Sequence, residues 1–508
     1  MRRCYLGSPI WLWVLVLIYI VTFSTLSVLK HDNFYSFTFD LGIMSQVMWN
    51  TAHGRVFEIS LDRPLDTPLI GSYLGNHVRP ILLLLAPFYR LWPDPRLLLI
   101  LQSVALGLGA VPLFWIARRT LKNRLMPVAL VACYLLYPAL GYISFFDFHP
   151  VAFAVPFLLF AFWALLERRT VLFWAMVVLT LATKEELVIP VAAFAAYCLF
   201  KPRWRRTGVW MLVLAVAWAF LCFAVIIPYY NEGRPYRFFD LWSHLPTQLL
   251  AGDGGDGGQT SISNLFSVES AVFVVHLLLP LGFIPLLNPG LLAVSLPSLA
   301  YLLFSSRPAL RSVGYQYPAV LIPWWFLAAI YGLARFERWP RLRARLEWLS
   351  LCLLLVGTLG TNLVLNPILF YVRNGAFIPP PYHEQVSEAM ALIPPDAGVA
   401  TINPFGPHLA DRRYLISVDK YPLPLRQDHM QHVDYVLLDL VDCRAEGARG
   451  RPYYTDMVLQ IVQSDEFRVR YWSDRILLLE RGQPSRRDLD AVTEYVTDLL
   501  DQERPCWP

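Results

Sequence analysis

Charge is scarce in this sequence. Asp, Glu, Lys and Arg make up 16% of 508 residues against 56% hydrophobic, with a mean hydropathy of +0.45. That balance excludes a soluble globular chain of this length and leaves a multi-pass membrane protein. Paired cysteines are missing too: Cys4, Cys133, Cys198, Cys222, Cys352, Cys443 and Cys506 stand singly, mostly in apolar runs. Neither a disulfide framework nor a thiolate metal site is implied. The sequence has no Walker loop, no nucleophile elbow and no HExxH, so no known motif for ATP hydrolysis is present. A net charge of +5 is small, and the basic residues cluster between apolar segments. This is a topological pattern, and no nucleic-acid partner follows from it.

What is present is a succession of apolar runs. Met1-Arg2-Arg3 precedes Ile10 to Leu29, which at about twenty residues is long enough to cross a bilayer. No small-residue cleavage site follows, so an uncleaved first span with a cytoplasmic N-terminus is expected. Lys30 to Pro80 is polar and forms a large first outer loop. Ile81 to Trp92, about a dozen residues, is too short to span and is expected to be re-entrant or to lie on the surface. With that assignment eleven spans follow, ending at Leu349 to Leu365. Arg118-Arg119, Arg168-Arg169, Lys201 to Arg206 and Arg335 to Arg345 then all face the cytoplasm, as the positive-inside rule requires.

After Asn366 the pattern becomes soluble. Gly398 to Ile402, Tyr414 to Val418, Tyr435 to Asp439, Phe467 to Trp472 and Ile476 to Glu480 read as strands; Glu384 to Leu392, Thr455 to Ser464 and Arg487 to Leu500 read as helices. The expected fold is therefore a membrane all-α polytopic bundle over residues 1–366, followed by a small extracytoplasmic α/β domain over 367–508.

This topology gathers polar residues at one membrane edge. Asp40, Asn76, His77, Arg79, Asp147, His149, Lys184, Glu185, Glu186, Arg307, Arg311 and Gln316 come from five loops, all on the outer side. A convergent set of acids, bases and cations at one face of a helix bundle is what an active site requires. Each motif has a plainer reading. Asp40, before a helix with Leu41, Met44, Val47 and Met48 on one stripe, can be an N-cap on a helix lying along the membrane. Asp147-Phe148-His149-Pro150 and Lys184-Glu185-Glu186 can be interfacial caps or ion pairs. The Gly252 to Gly258 run resembles one fragment of a calcium-binding repeat, but a single copy reads as a flexible loop.

Phe39-Asp40-Leu41-Gly42, Asn76-His77, Phe146 to Pro150, Lys184 to Glu186, Pro407-His408-Leu409 and Asp434 to Asp439 together resemble the GT-C superfamily of polytopic glycosyltransferases. More closely, the pattern is similar to a related prokaryotic family of predicted membrane proteins with a domain of unknown function. The resemblance implies a sugar donor carried on polyprenyl phosphate, with Asp40 as catalytic base. Phe39 stands where better-known relatives carry a second acid, which leaves metal dependence open. On this reading Asp40, Asp147 and Glu185 are the catalytic candidates. Arg79, Lys184 and one of Arg307 or Arg311 would stabilise the departing phosphate. Asn76, His77, His149, Glu186 and Gln316 would hold substrate; Asp147, His149, Glu185 and Glu186 would position sugar or acceptor hydroxyls or hold a divalent metal. The acceptor would be a glycan, lipid or protein on the outer face. A transporter and a non-catalytic scaffold with an external binding domain are the alternatives. A transporter would place its ionisable groups near the bilayer midplane in repeated halves.

Overall fold

The computed structural model describes residues 8–62, 67–236, 239, 264–339, 341–418, 427–441, 450–464, 466–483 and 485–501. The Gly252 to Gly258 run and Asp66 lie outside the described residues. The chain forms two compact units. One comprises Met1–Ser27, Leu74–Leu84 and Leu99–Tyr371; the other comprises Val28–Tyr73, Leu85–Leu98 and Val372–Pro508.

Each of the eleven apolar runs is helical. Among the described residues, five helices are long and apolar enough to cross a membrane: Ile10–Asp32, Pro95–Thr120, Met126–Phe145, Pro202–Tyr230 and Arg343–Arg373. Others are shorter, among them Pro150–Leu166, Thr170–Leu181, Val268–Leu281, Pro289–Leu303 and Ile322–Phe336. Ile81–Leu91 is a helix of 11 residues, the length that its composition predicts.

Local chemistry sets these ends. Proline, which lacks an N–H and has its φ preset, occupies the first turn at Pro127, Pro138, Pro150 and Pro289. The helix Val268–Leu281 stops where Gly282 turns left-handed, at φ +55°, a conformation that glycine adopts without Cβ strain. The expected span Ala271 to Leu287 is therefore broken there into a helix and a following 3-10 turn.

Some polar side chains inside the first unit bond to one another. The Tyr19 hydroxyl lies 2.9 Å from Ser144 Oγ, and Trp325 Nε1 donates to Ser295 Oγ at 2.9 Å. In an apolar surround such bonds are needed because an unmet donor costs more than a met one returns.

The second unit is built on a five-stranded sheet. A short antiparallel pair, β1 (Glu58–Ile59) and β2 (Gly71–Ser72), precedes it. The sheet itself holds β3 (Val399–Thr401), β4 (Leu415–Ser417), β5 (Tyr435–Asp439), β6 (Phe467–Ser473) and β7 (Ile476–Arg481), in the order β4-β3-β5-β7-β6. The first three strands are parallel and the last two antiparallel. β3, β4 and β5 are buried throughout, which explains why polar residues do not alternate with apolar ones along them.

The segment 46–61 covers the sheet's β4 edge. Ser60 Oγ donates to the Leu415 carbonyl at 2.8 Å and accepts the Leu415 N–H at 2.9 Å, while Gln46 Oε1 accepts the N–H groups of Ser60 and Leu61. An exposed edge strand is thereby closed to other partners. The Leu41, Met44, Val47 and Met48 stripe is fully buried, and Gln46 beside it donates to the carbonyls of Arg412 and Arg413. This corrects the expectation of a helix lying on the membrane: the stripe is buried in protein, because the helix packs within the α/β unit.

That packing also buries a carboxyl. Asp411 Oδ1 accepts the Tyr89 hydroxyl at 2.6 Å, and Ser45 Oγ lies 2.5 Å from the same hydroxyl. Burial, reinforced by Asp94, raises the Asp411 carboxyl to about 7 against the opposing bonds from Tyr89 and Ser45. The unfolded chain ionises near pH 4, so it sheds this proton first. Stability from Asp411 is therefore complete below about pH 4 and is lost as pH rises towards 7, by up to about 1.4 kcal/mol per pH unit. Melting curves between pH 4.5 and 7.5 should show a steeper decline in the wild type than in Asp411→Asn. Parallel curves would show that Asp411 is not buried as described.

Candidate functional site

The loops that join helices of the first unit converge on a pocket. It is lined by Arg79, His149, Lys184, Glu186, Gln316 and Tyr301, among others, with a cavity volume of about 40 Å³. Five of the twelve sequence candidates thus share one cavity. Their positions follow from chain direction. Arg79 precedes the helix Ile81–Leu91, His149 precedes Pro150, and Lys184 stands between Thr170–Leu181 and Val188–Leu199. The arginine-rich turns fall at the opposite ends of the same helices, as with Arg168-Arg169 before Thr170 and Lys201 after Leu199.

Glu185 organises the wall behind the cavity. Its side chain is fully buried. Oε1 accepts His77 Nδ1–H at 2.7 Å and the Tyr236 hydroxyl at 2.7 Å, and Oε2 accepts the Val78 N–H at 2.9 Å. Burial by itself would raise this carboxyl, but His77, Lys184 and Arg79 hold it below the usual carboxylate range. Burial pushes the His77 imidazole down to about 4, against the pull of Glu185. At neutral pH the pair is a carboxylate with a neutral imidazole, so Nδ1 carries the proton and donates. Glu185 is thus a fixed acceptor that orients its neighbours, and the loop carrying Arg79 is fastened to it through His77 and Val78.

Glu186 faces the pocket itself. It pairs with Lys184 Nζ at 2.5 Å, accepts the Tyr236 hydroxyl at 3.0 Å and accepts a short bond from the Tyr301 hydroxyl. The ion-pair reading of Lys184 to Glu186 is correct as far as it goes, but the pair lines a cavity.

Asp147 is fully buried at φ +32°. Gln102 holds its backbone, donating to the Asp147 carbonyl at 2.6 Å and accepting the His149 N–H at 2.8 Å. The cap reading of this motif does not hold, since His149 at the helix start makes no side-chain capping bond. Gln102 presents His149 to the pocket. Asn76 is buried in the same loop as His77. Arg307 is exposed, and Arg311 is buried with Nη1 donating to the Ser305 carbonyl at 2.7 Å; neither lines the pocket.

Asp40 belongs to the second unit. It is the middle residue of a π turn, Thr38–Gly42, whose flanking cap positions are Phe37 and Ile43. The following helix starts from Gly42, again without a side-chain cap bond. Asp40 is therefore not an N-cap. Thr38, Leu41 and Gly42 are buried while Asp40 is half-buried. Among the described residues, no three His, Cys, Asp or Glu side chains come together as a metal-ligand set.

Tyr236, Tyr301 and Gln102 escaped the sequence reading. Gln102 had a signal, as an amide inside an apolar span. Tyr301 is an ordinary aromatic in an apolar helix, and Tyr236 lies in a loop without pattern.

The chain has the fold of a polytopic membrane protein, a bundle of apolar helices with a small C-terminal sheet domain. Crystal structures of ArnT from Cupriavidus metallidurans share this fold at 13% sequence identity. The form bound to undecaprenyl phosphate aligns with a TM-score of 0.56 over 93% of this chain and 98% of that one. The apo form aligns at 0.52 over 92% and 97%. The chain belongs to the family described as "Predicted membrane protein (DUF2079)", which matches residues 30–478. No curated protein matches it.

Proposed function

We propose that this protein is a glycosyltransferase that moves a sugar from a polyprenyl-phosphate donor to an acceptor on the outer face of the membrane. The observation that carries the reading is the pocket in which Arg79 and Lys184 meet Glu186, His149 and Gln316 at the ends of apolar helices. Two cations beside hydroxyl-binding groups suit a phosphate and the sugar attached to it. The likeness to a fold that holds undecaprenyl phosphate in ArnT supports a lipid donor. So does the location of nucleotide sugars in the cytoplasm: transfer on the outer side calls for a donor already carried across.

In the reaction Asp40 takes the proton from an acceptor hydroxyl as its oxygen attacks the anomeric carbon. The bond between that carbon and the phosphate oxygen breaks, and the lipid phosphate leaves with the electron pair. Arg79 and Lys184 stabilise the charge that develops on it. Glu186 and Tyr301 fix Lys184 and line the sugar's surroundings. Asp147, through His149, and Glu185, through His77 and Arg79, act as positioning residues.

Incubating the purified protein with a panel of polyprenyl-phosphate hexoses and pentoses, and following sugar release, tests the reading. Turnover of at least one donor is expected; no turnover of any, with acceptor lipids and glycans supplied, would count against it. With the best donor, Lys184→Met and Arg79→Met should each lower kcat about 10²–10³-fold, as loss of a group facing developing charge does. Unchanged kcat in both variants would remove the phosphate assignment.

A further inference from the structure

The second unit places the Asp40 turn at a particular point of its sheet. In α/β sheets, ligands sit outside the carboxyl ends of the strands where the strand order reverses. Here that point falls between β3 and β5: the chain leaves β3 towards β4 on one side, then returns past it to β5 on the other. The segment leaving β3 runs through Asn403 to the 3-10 turn Gly406–Leu409. What packs against it is the chain's own Thr38–Gly42 turn.

The contact is specific at both ends of that turn. Thr38 N–H donates to Asn403 Oδ1 at 2.7 Å, and the Thr38 hydroxyl donates to the Asn403 carbonyl at 2.6 Å. A Cβ on Gly406 would overlap Thr38 Oγ1 and Cγ2, and one on Gly42 would stand 3.5 Å from the Pro407 nitrogen. Thr38 and Gly42 are buried by this arrangement, whereas Asp40, midway between them, is half-buried. The turn is a π turn, with the Ile43 N–H returning to the carbonyls of Asp40 and Thr38, a wide geometry common at functional sites.

We infer that the sheet is a positioning element of the transfer reaction, and that Asn403 is the positioning residue that fixes Asp40 through Thr38. The inference rests on Asp40 being the general base. The crevice in which other α/β domains hold a ligand holds instead the segment carrying this chain's base. The C-terminal domain thereby acts in the chemistry step rather than as an acceptor-recruiting appendage alone.

The test uses the full-length purified protein and the polyprenyl-phosphate sugar that the wild type turns over fastest. Asn403→Leu removes the side-chain acceptor; Asn403→Asp keeps it. Misplacing a catalytic group by about 1 Å costs about 100-fold. Asn403→Leu should therefore lower kcat by about that factor with the donor KM changed less than about two-fold, and Asn403→Asp should recover most of it. Deuterium uptake over residues 37–43 should rise in Asn403→Leu alone. Should Asn403→Leu not fold, Thr38→Val, which removes only the hydroxyl bond, decides by the same split in kcat and KM. Wild-type kcat in Asn403→Leu or its substitute, alongside an inactive Asp40→Asn, overturns the positioning role and leaves the base in place. Full activity in Asp40→Asn overturns the base, and the inference with it.

Discussion

Asp40→Asn is expected to reduce sugar transfer by about 10²–10⁴-fold, the usual contribution of a general base, while leaving expression, monodispersity and melting temperature unchanged. Two observations separate this from a structural effect. Asp40 caps no helix: the cap positions on either side of its turn and at the start of the next helix lie at other residues. The buried residues of the turn are Thr38, Leu41 and Gly42, so replacing the carboxylate by its isosteric amide leaves the packing intact. The loss should appear in kcat rather than in donor KM, because the base acts on the acceptor hydroxyl and contributes mainly in the transition state. Raising the pH should not restore activity, since an amide gains no basicity. A variant with undiminished turnover would remove Asp40 from the chemistry.

Glu185→Ala carries the largest expected effect on stability. The substitution takes away the buried carboxylate shared by the His77 imidazole, the Val78 N–H and the Tyr236 hydroxyl. Breaking a buried charged network by removing one member costs about 3–5 kcal/mol, which for a chain of this size is a fall in melting temperature of about 3–5 °C. Activity should fall with it, because Arg79 stands two residues from His77 and its loop loses its tether. Glu185→Gln keeps two acceptor positions' worth of shape with one oxygen, and should recover much of the stability but less of the activity. If the alanine variant melts with the wild type, these bonds do not hold the loop. The comparison also separates Glu185 from Glu186: Glu186 faces the cavity, and its replacement by Gln should change turnover with little change in melting temperature.

Much of this was legible in the chain. β5 runs from Tyr435 to Asp439, the bounds its apolar stretch predicts, and the other four strands of the sheet fall within a residue or so of their expected ends. Each is a short β-branched or aliphatic run between turn residues, where the local signal and the tertiary role coincide. The helices were equally plain because an apolar run in lipid has no other way to satisfy its backbone. Their lengths were not. Whether Ala271 to Leu287 forms one helix depends on the left-handed turn at Gly282 and Phe283, and hydropathy does not report φ. In the site, acids, histidines and cations announced themselves by being polar near apolar flanks. Tyr236 and Tyr301 did not, since a tyrosine is equally at home packing a ring or donating a hydroxyl.

The sequence by itself determined the class of protein, the helical segments, the strands of the α/β unit and the sorting of acids and histidines away from the arginine-rich turns. These follow from composition and from periodicity along the chain, which act over a few residues. Only the tertiary structure decided which candidates share a cavity. Arg79, His149, Lys184, Glu186 and Gln316 do, while Arg307 and Arg311 do not. It also decided that the stripe beside Asp40 is buried in protein, and that Thr38 and Asn403, 365 residues apart, clasp the turn between them. Contacts of that separation depend on how whole elements pack, and no local pattern in either segment encodes the partner.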